Sequence, residues 1–226
     1  KINRGGGRML RKTILLMLFL TFFTGCQIKV EPVLSSSLGM SAFENMKKVQ
    51  LHDASIAIYL DPEIKKLRVE REIKAGDFSF PVGGALSVKL IKALTYTFKT
   101  VYLIDKPAYT GPDKVDAIMS VSLQDIDVNL EVNSGFASVA TKSYTRFAIR
   151  AEIKDTVSKD TVWVGTTQAQ TSGKHEEMAQ MTYQEAGRGF AAGMDKAIDK
   201  VVGELIYQMG KSQNLVKYLK KWEQEA

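Results

Sequence analysis

From Ala117 to Val164 the chain runs three times through stretches with apolar residues at every second position, separated by polar connections. Ala117, Met119, Val121 and Leu123 alternate with Ser120, Ser122 and Gln124. Phe147, Ile149, Ala151 and Ile153 form a second run, and Val162-Trp163-Val164 follows the polar stretch Asp155 to Asp160. A period of two puts alternate side chains on one face of a strand, so the region must form a sheet with one buried face. Successive strands joined this way are antiparallel neighbours, which predicts a meander over residues 116–170. Within the first run the apolar set moves beyond Asp125 to even positions: Ile126, Val128, Leu130 and Val132. A one-residue slip would invert every side chain, so the change of phase predicts a bulge or a strand that passes to a different packing partner.

Elsewhere the period is mixed. Ala54, Ile56, Ile58 and Leu60 predict an early strand that Asp61-Pro62 stops, and the charged stretch Glu63 to Lys74 reads as a solvated excursion. After Gly83-Gly84, Leu86, Leu90, Leu94 and Phe98 recur every four residues with Ile91 in the same stripe, an amphipathic helix followed by the short apolar run Val101 to Ile104. Helical spacing returns from Glu176 to Met209, through Phe190, Met194, Val201, Leu205 and Met209. Gly187, Gly189 and Gly193 interrupt it. Glycine inside a helix costs roughly 1 kcal/mol, so they mark either close approach to a sheet or a break between two helices. The tail from Ser212 carries Leu215, Val216, Leu219 and Trp222 on one side and lysines elsewhere. The order strand, helix, strand, meander, helix predicts a single α+β domain over residues 51–226. It consists of a mainly antiparallel sheet with helices on one face and a C-terminal amphipathic helix.

The start of the chain is of another kind. Met9 opens a short basic region, an apolar run of about a dozen residues and the junction Thr24-Gly25-Cys26. This is a secretory signal over residues 1–25, too short to span a membrane. Residues 1–8 precede that Met and are expected not to be translated. Five of the 31 basic residues lie ahead of Cys26, leaving 26 against 25 acidic ones. The formal charge of +6 therefore belongs mostly to the leader, and a nucleic-acid partner, which needs a concentrated basic face, is not expected. Residues 26–50, with Pro32, Ser35 to Ser37 and Gly39, read as a tether.

Small residues directly before the single Cys resemble the lipobox of bacterial lipoproteins, although Phe23 stands where Leu is usual. The resemblance implies that Cys26 is acylated and becomes the mature N-terminus. It also implies a protein held by its acyl chains on the periplasmic face of the outer membrane, since Gln27 takes the place of the Asp that would retain it at the inner one. Two or three acyl chains anchor stably where one does not.

The catalytic inventory is thin. One Cys and two His leave no material for a zinc site or a disulfide framework, and no metal or cofactor is expected. Gly187 to Gly193 does not follow a strand as a dinucleotide fingerprint must, Gly210-Lys211-Ser212 lacks the earlier glycine of a phosphate loop, and His175-Glu176-Glu177 has no second His at position 179. Asp125 and Asp127 share a strand face, where a solvated surface is the simpler reading, and no Ser nucleophile stands beside a base. A non-enzymatic protein is expected. A cleft gathering Asp125, Asp127 and His175 would reverse that.

Two regions present side chains suited to a partner or a lipid surface: Tyr218, Leu219 and Trp222 in the tail, and Phe136 in the loop Asn133 to Ala140. The tail has an alternative, to fold back and complete the core. The early strand ending near Asp61, the helix ending near Phe98 before Val101-Tyr102, the strand start Tyr144-Thr145-Arg146 and the ending Asn214 to Leu219 together resemble the YajG-type family of small bacterial lipoproteins. That resemblance implies a compact α+β domain on an acyl anchor, similar in organisation to envelope assembly lipoproteins, and transfers no functional residue except Cys26. The resulting reading is a lipid-anchored binding or assembly component with an envelope protein partner. The alternative is an accessory lipoprotein of an envelope transporter, holding a ligand between the sheet and the Met-rich helix. A cavity of ~300 Å³ or more in that layer would favour the alternative, and a filled layer the first reading.

Overall fold

The computed structural model describes residues 29–46, 50–73, 76–135, 138–178 and 181–225. In chain order the elements are β1 (Lys29–Val30), α1 (Met40–Met46), β2 (His52–Leu60), α2 (Pro62–Lys65), β3 (Val69–Ile73), β4 (Gly76–Phe80), α3 (Val82–Leu94) and β5 (Phe98–Ile104). They continue with β6 (Ala117–Ser134), β7 (Ser138–Asp155), β8 (Thr161–Met178), α4 (Tyr183–Lys211) and α5 (Gln213–Glu225). The fold is α+β. Its main sheet has the order β5-β2-β6-β7-β8, and a smaller sheet the order β1-β4-β3.

The meander forms as its period requires, with β6, β7 and β8 antiparallel. The bulge falls at the change of phase: Leu123 faces Ile149 and Asp125 faces Ala148, which leaves Gln124 as the extra residue. Beyond it Val128 and Leu130 turn to the buried face that Val121 occupied before it. The strands run further than expected, with β8 reaching Met178. Over residues 171–177 its inward positions carry Thr171, Gly173 and His175 rather than large apolar groups, so no hydrophobic alternation marks it.

The first half of the sheet is more parallel than the sequence suggested, because β2 pairs in parallel with both β5 and β6. Parallel neighbours require a crossover, which the segment containing α3 supplies between β2 and β5. The charged excursion is ordered: Val69–Ile73 pairs antiparallel with Gly76–Phe80, burying Val69, Phe78 and Phe80.

Residues 29–46 do not form a tether. Lys29 and Val30 pair in parallel with Asp77 and Phe78, Leu34 and Met46 enter the core, and Ala42 packs at Gly203. The Ser35 N–H donates to both Asp195 carboxylate oxygens at 3.0 and 2.9 Å, and Lys92 Nζ donates to the Ser36 carbonyl at 2.8 Å.

α4 is one continuous helix across the inner face of β7 and β8. A capping box starts it: Thr182 Oγ1 accepts from the Glu185 N–H at 3.2 Å, and Glu185 Oε2 accepts from the Thr182 N–H at 2.7 Å. The Thr182 amide and hydroxyl hold the Glu185 carboxyl below its ordinary range. The glycines are close-approach positions. A Cβ on Gly189 would collide with Thr141 and come within 2.6 Å of His175 Cβ, and one on Gly193 would overlap Ser143 Oγ. Among the described residues no helix is long and apolar enough to cross a membrane.

Candidate functional site

The tail residues suited either to a partner or lipid surface or to the core are mostly committed inward. Leu215, Leu219 and Trp222 are buried in the main core and Tyr218 is half-buried against it, with its ring 5.9 Å from that of Trp222. Trp222 Nε1 donates to Asp155 Oδ2 at 2.7 Å. The other Asp155 oxygen accepts from the Val157 and Ser158 amides at 2.9 and 2.6 Å, closing the β7–β8 turn. Burial opposes ionisation of Asp155, but the indole and the turn amides outweigh it and hold the carboxyl below the usual range. One aspartate thus fixes both a turn and the last helix. Of the two readings of the tail, the structure takes the fold back onto the core, so Leu219 and Trp222 are core residues and not a contact surface: three large apolar side chains on one stripe gain more by covering β2, β8 and the end of α4 than by facing water. Phe136 and Cys26 lie outside the described residues.

The groups considered for catalysis are not brought together. Arg146 Nε lies 2.7 Å from Asp125 Oδ2, and His175 Nε2 lies 3.0 Å from Glu177 Oε1. Asp125 stands opposite Ala148 and His175 opposite Thr141. Seven residues of strand at ~3.3 Å each keep them about 23 Å apart. His52 Nδ1 is held at 2.8 Å by Glu223 on α5. Among the described residues no three His, Cys, Asp or Glu side chains converge as a metal site.

A buried ionic cluster escaped the sequence reading. Lys89 on α3 is fully buried, with Nζ 3.0 Å from Asp195 Oδ1 and 2.9 Å from Asp199 Oδ1 on α4. Asp195 also takes the Ser35 amide and Asp199 packs at Gly39, so one cation joins three segments. A signal existed: Lys89 falls in the apolar stripe of α3, three residues after Leu86 and four before Ala93. A charge there must be paired to be tolerated.

The layer between sheet and α4 is filled by Phe190, Met194, Val201, Leu205 and Met209, all buried. Clefts lie at the margins. One of about 510 Å³ opens between α5, the end of α4 and the start of β2, with Lys211 and Lys220 at its rim and Met209, Leu215 and Leu219 on its wall. Another of about 610 Å³ lies under the loop after β5, where Tyr109 packs on Tyr102 at 5.7 Å between ring centres.

The outer face of the meander is the broad accessible surface. Gln168 and Gln170 on β8, Tyr144 and Arg150 on β7, and Asp127 and Asn129 on β6 are all exposed there. Cross-strand register places Tyr144 between Asn129 and Ser172, and Arg146 between Asp127 and Gln170. The result is a twisted, largely polar plate rich in amide, hydroxyl and guanidinium groups.

No protein-family model matches the sequence, and no curated protein matches it either. Similar solved structures include a Xanthomonas campestris protein of the DUF330 family, 10% identical, covering 84% of this chain and 98% of its own, with a TM-score of 0.50. They also include a neuraminyllactose-binding hemagglutinin homologue from Helicobacter pylori (12% identical, 87% and 100% covered, TM-score 0.48). A Caulobacter crescentus lipoprotein is more distant (11%, 72% and 90%, TM-score 0.33). At these identities the first likeness is one of fold, and this chain has the fold of the Xanthomonas protein over most of its length.

Proposed function

We propose that the protein is a lipid-anchored, non-enzymatic component of the bacterial cell envelope, of YajG type, that binds or helps assemble another envelope protein through the outer face of its meander. The observation that carries this reading is the contrast between the faces of one sheet. The inner face is closed by α4 and α5, with the Thr167 and Thr171 hydroxyls donating to the Val201 and Gly193 carbonyls of α4, while the outer face presents exposed hydrogen-bonding side chains across three strands. Such a plate is too polar for an obligate core-like interface and suits a specific, separable contact. The lipobox-like junction before Cys26 and the preceding apolar run support acyl anchoring at the outer membrane.

Two measurements test the reading. Mass spectrometry of protein from its own host shows acyl chains on Cys26, and Cys26→Ser moves the protein out of the membrane fraction; an unmodified thiol ends the anchor assignment. A photo-crosslinker at Gln170 gives a discrete adduct in intact envelopes, while one at Lys200 on the helical side does not. Matching adduct patterns at both positions would remove the outer face from consideration.

The cleft of about 510 Å³ beneath α5 favours a second reading, an accessory lipoprotein of a transporter that carries a small amphipathic anion. In that case saturable binding of a fluorescent fatty acid is lost when Val216→Trp fills the cleft.

A further inference from the structure

Because Lys29 is docked in the small sheet, covalent geometry limits how far Cys26 can lie from it. Three residue steps separate the two positions, and they span at most ~11 Å. If Cys26 carries acyl chains, as proposed above, an anchor so short holds one particular end of the body at the bilayer.

Packing around β1 identifies that end. Pro32 meets the first turns of α4, where a Cβ on Gly187 would come within 2.7 Å of Pro32 Cγ and 3.4 Å of Val30. Two residues on, Gly189 lies against Thr141 and His175, the paired residues near the start of β7 and the end of β8. The anchor-proximal segment, the start of α4, the start of β7 and the end of β8 therefore share one end. The β7–β8 turn, with exposed Val157, lies at the other, on the order of 50 Å away along β7.

The surface at the anchored end fits a lipid interface. Val33 is 87% exposed, Tyr183 is 45% exposed, and between them a cleft of about 720 Å³ runs from Lys29 to Arg188. An apolar side chain, a tyrosine and an arginine at one level are the groups that rest at the boundary of headgroups and acyl chains. Charges nearby are largely paired: Lys29 with Glu70 at 3.1 Å, Arg68 with Glu31 at 2.7 Å, and Lys174 with Glu176 at 2.7 Å. The contact therefore needs no anionic lipid.

We propose that this end, formed by residues 29–33 and the first turns of α4, is seated on the bilayer surface, so that the long strands rise from the membrane and the β7–β8 turn points away from it. The proposal rests on the acyl-anchor reading of Cys26. The outer face of the meander is then presented sideways to neighbours in the periplasm.

The test uses the acylated full chain in phosphatidylcholine vesicles. Cys26 is the only native cysteine and is blocked by acylation, so Val33→Cys and Val157→Cys each give one labelling position. An environment-sensitive fluorophore at position 33 is quenched several-fold more by headgroup-nitroxide lipid than one at 157, with both proteins floating with the vesicles. Equal quenching in floated, acylated protein overturns the seating and leaves the anchor standing. Protein that fails to float and carries an unmodified Cys26 overturns both. A position-33 label shielded in vesicle-free Cys26→Ser protein, increasingly so with protein concentration, assigns the end to a second copy and also overturns the proposal.

Discussion

The first turns of α4 and its later turns rest on the same sheet through different side chains. Up to Gly193 the helix meets β7 and β8 through glycines, against Thr141, Ser143, Thr171 and Gly173, with the Thr171 hydroxyl donating to the Gly193 carbonyl at 2.7 Å. From Met194 onward it carries Val201, Leu205 and Met209 into the same core as Ile149, Ala151 and Ile153. Both halves take a threonine hydroxyl on a helix carbonyl, Thr167 donating to Val201 at 3.2 Å in the far half; the near half differs in its close glycine approach, the far half in its run of large apolar side chains. Between them sits the Lys89–Asp195–Asp199 cluster, at the level where the packing changes. Glycines in a long helix can thus admit a close approach to a sheet without interrupting it.

Four experiments break or sharpen this contrast. Truncation after Gly210 strips the far half of Leu215, Leu219 and Trp222, each contributing ~1.5–3 kcal/mol when buried. It should give the largest fall in Tm of the set, and a Tm unchanged within error would show that α5 does not complete the core. Lys89→Ala leaves the buried Asp199 and the partly exposed Asp195 without their shared cation and should cost about 3–5 kcal/mol in urea unfolding; a loss under about 1 kcal/mol would mean the cluster is hydrated.

In the near half, Gly193→Ala places a methyl on Ser143 Oγ and 3.2 Å from the Gly173 amide, and should cost about 1–3 kcal/mol, with partial recovery in the Ser143→Ala background. Gly84→Ala on α3, where nothing lies within 4 Å, should instead stabilise by about 0.4–1 kcal/mol. Matching signs for the two would refute the close-approach account.

The smallest effect is the pH dependence of the lock between Asp155 and Trp222. The Asp155 carboxyl titrates lower in the folded protein than in the unfolded chain, so its contribution is complete above the ordinary aspartate value of about 3.9 and is lost as pH falls through the depressed folded value. The stability gap between wild type and Asp155→Asn should therefore close on acidification below about pH 4, followed by tryptophan fluorescence. A gap that stays constant through that acid range would remove Asp155 from acid unfolding.

Where one face of an element is apolar, the spacing of residues showed it: the meander, the bulge at Gln124, the α3 stripe and the inward face of α5 are all legible this way. What escaped detection depends on partners distant in sequence. Pro32 and Ala42 dock singly against Gly187 and Gly203 of α4, Leu34 and Met46 enter the core, and no local period announces such positions. Val69 and Ile73 flank three charged residues, so the β3–β4 hairpin looked solvated although Phe78 and Phe80 wait on its second strand. Lys89 was readable only as an anomaly, since its two aspartates lie on another helix. The tail's choice between core and surface was left open by its pattern. The Asp155 hydrogen bond to Trp222 resolves it, and that bond joins residues no motif connects.

The bond from the Ser35 amide to Asp195 spans 160 residues. A chain emerging in order, from a ribosome or through a membrane pore, exposes Pro32 and Ala42 long before the helix that receives them exists. The clasp can close only when nearly the whole polypeptide has arrived. Such long-range closure makes folding slow relative to local helix and hairpin formation and prolongs the interval in which apolar surface is unprotected. The first residues of the body to appear are among the last to find their place.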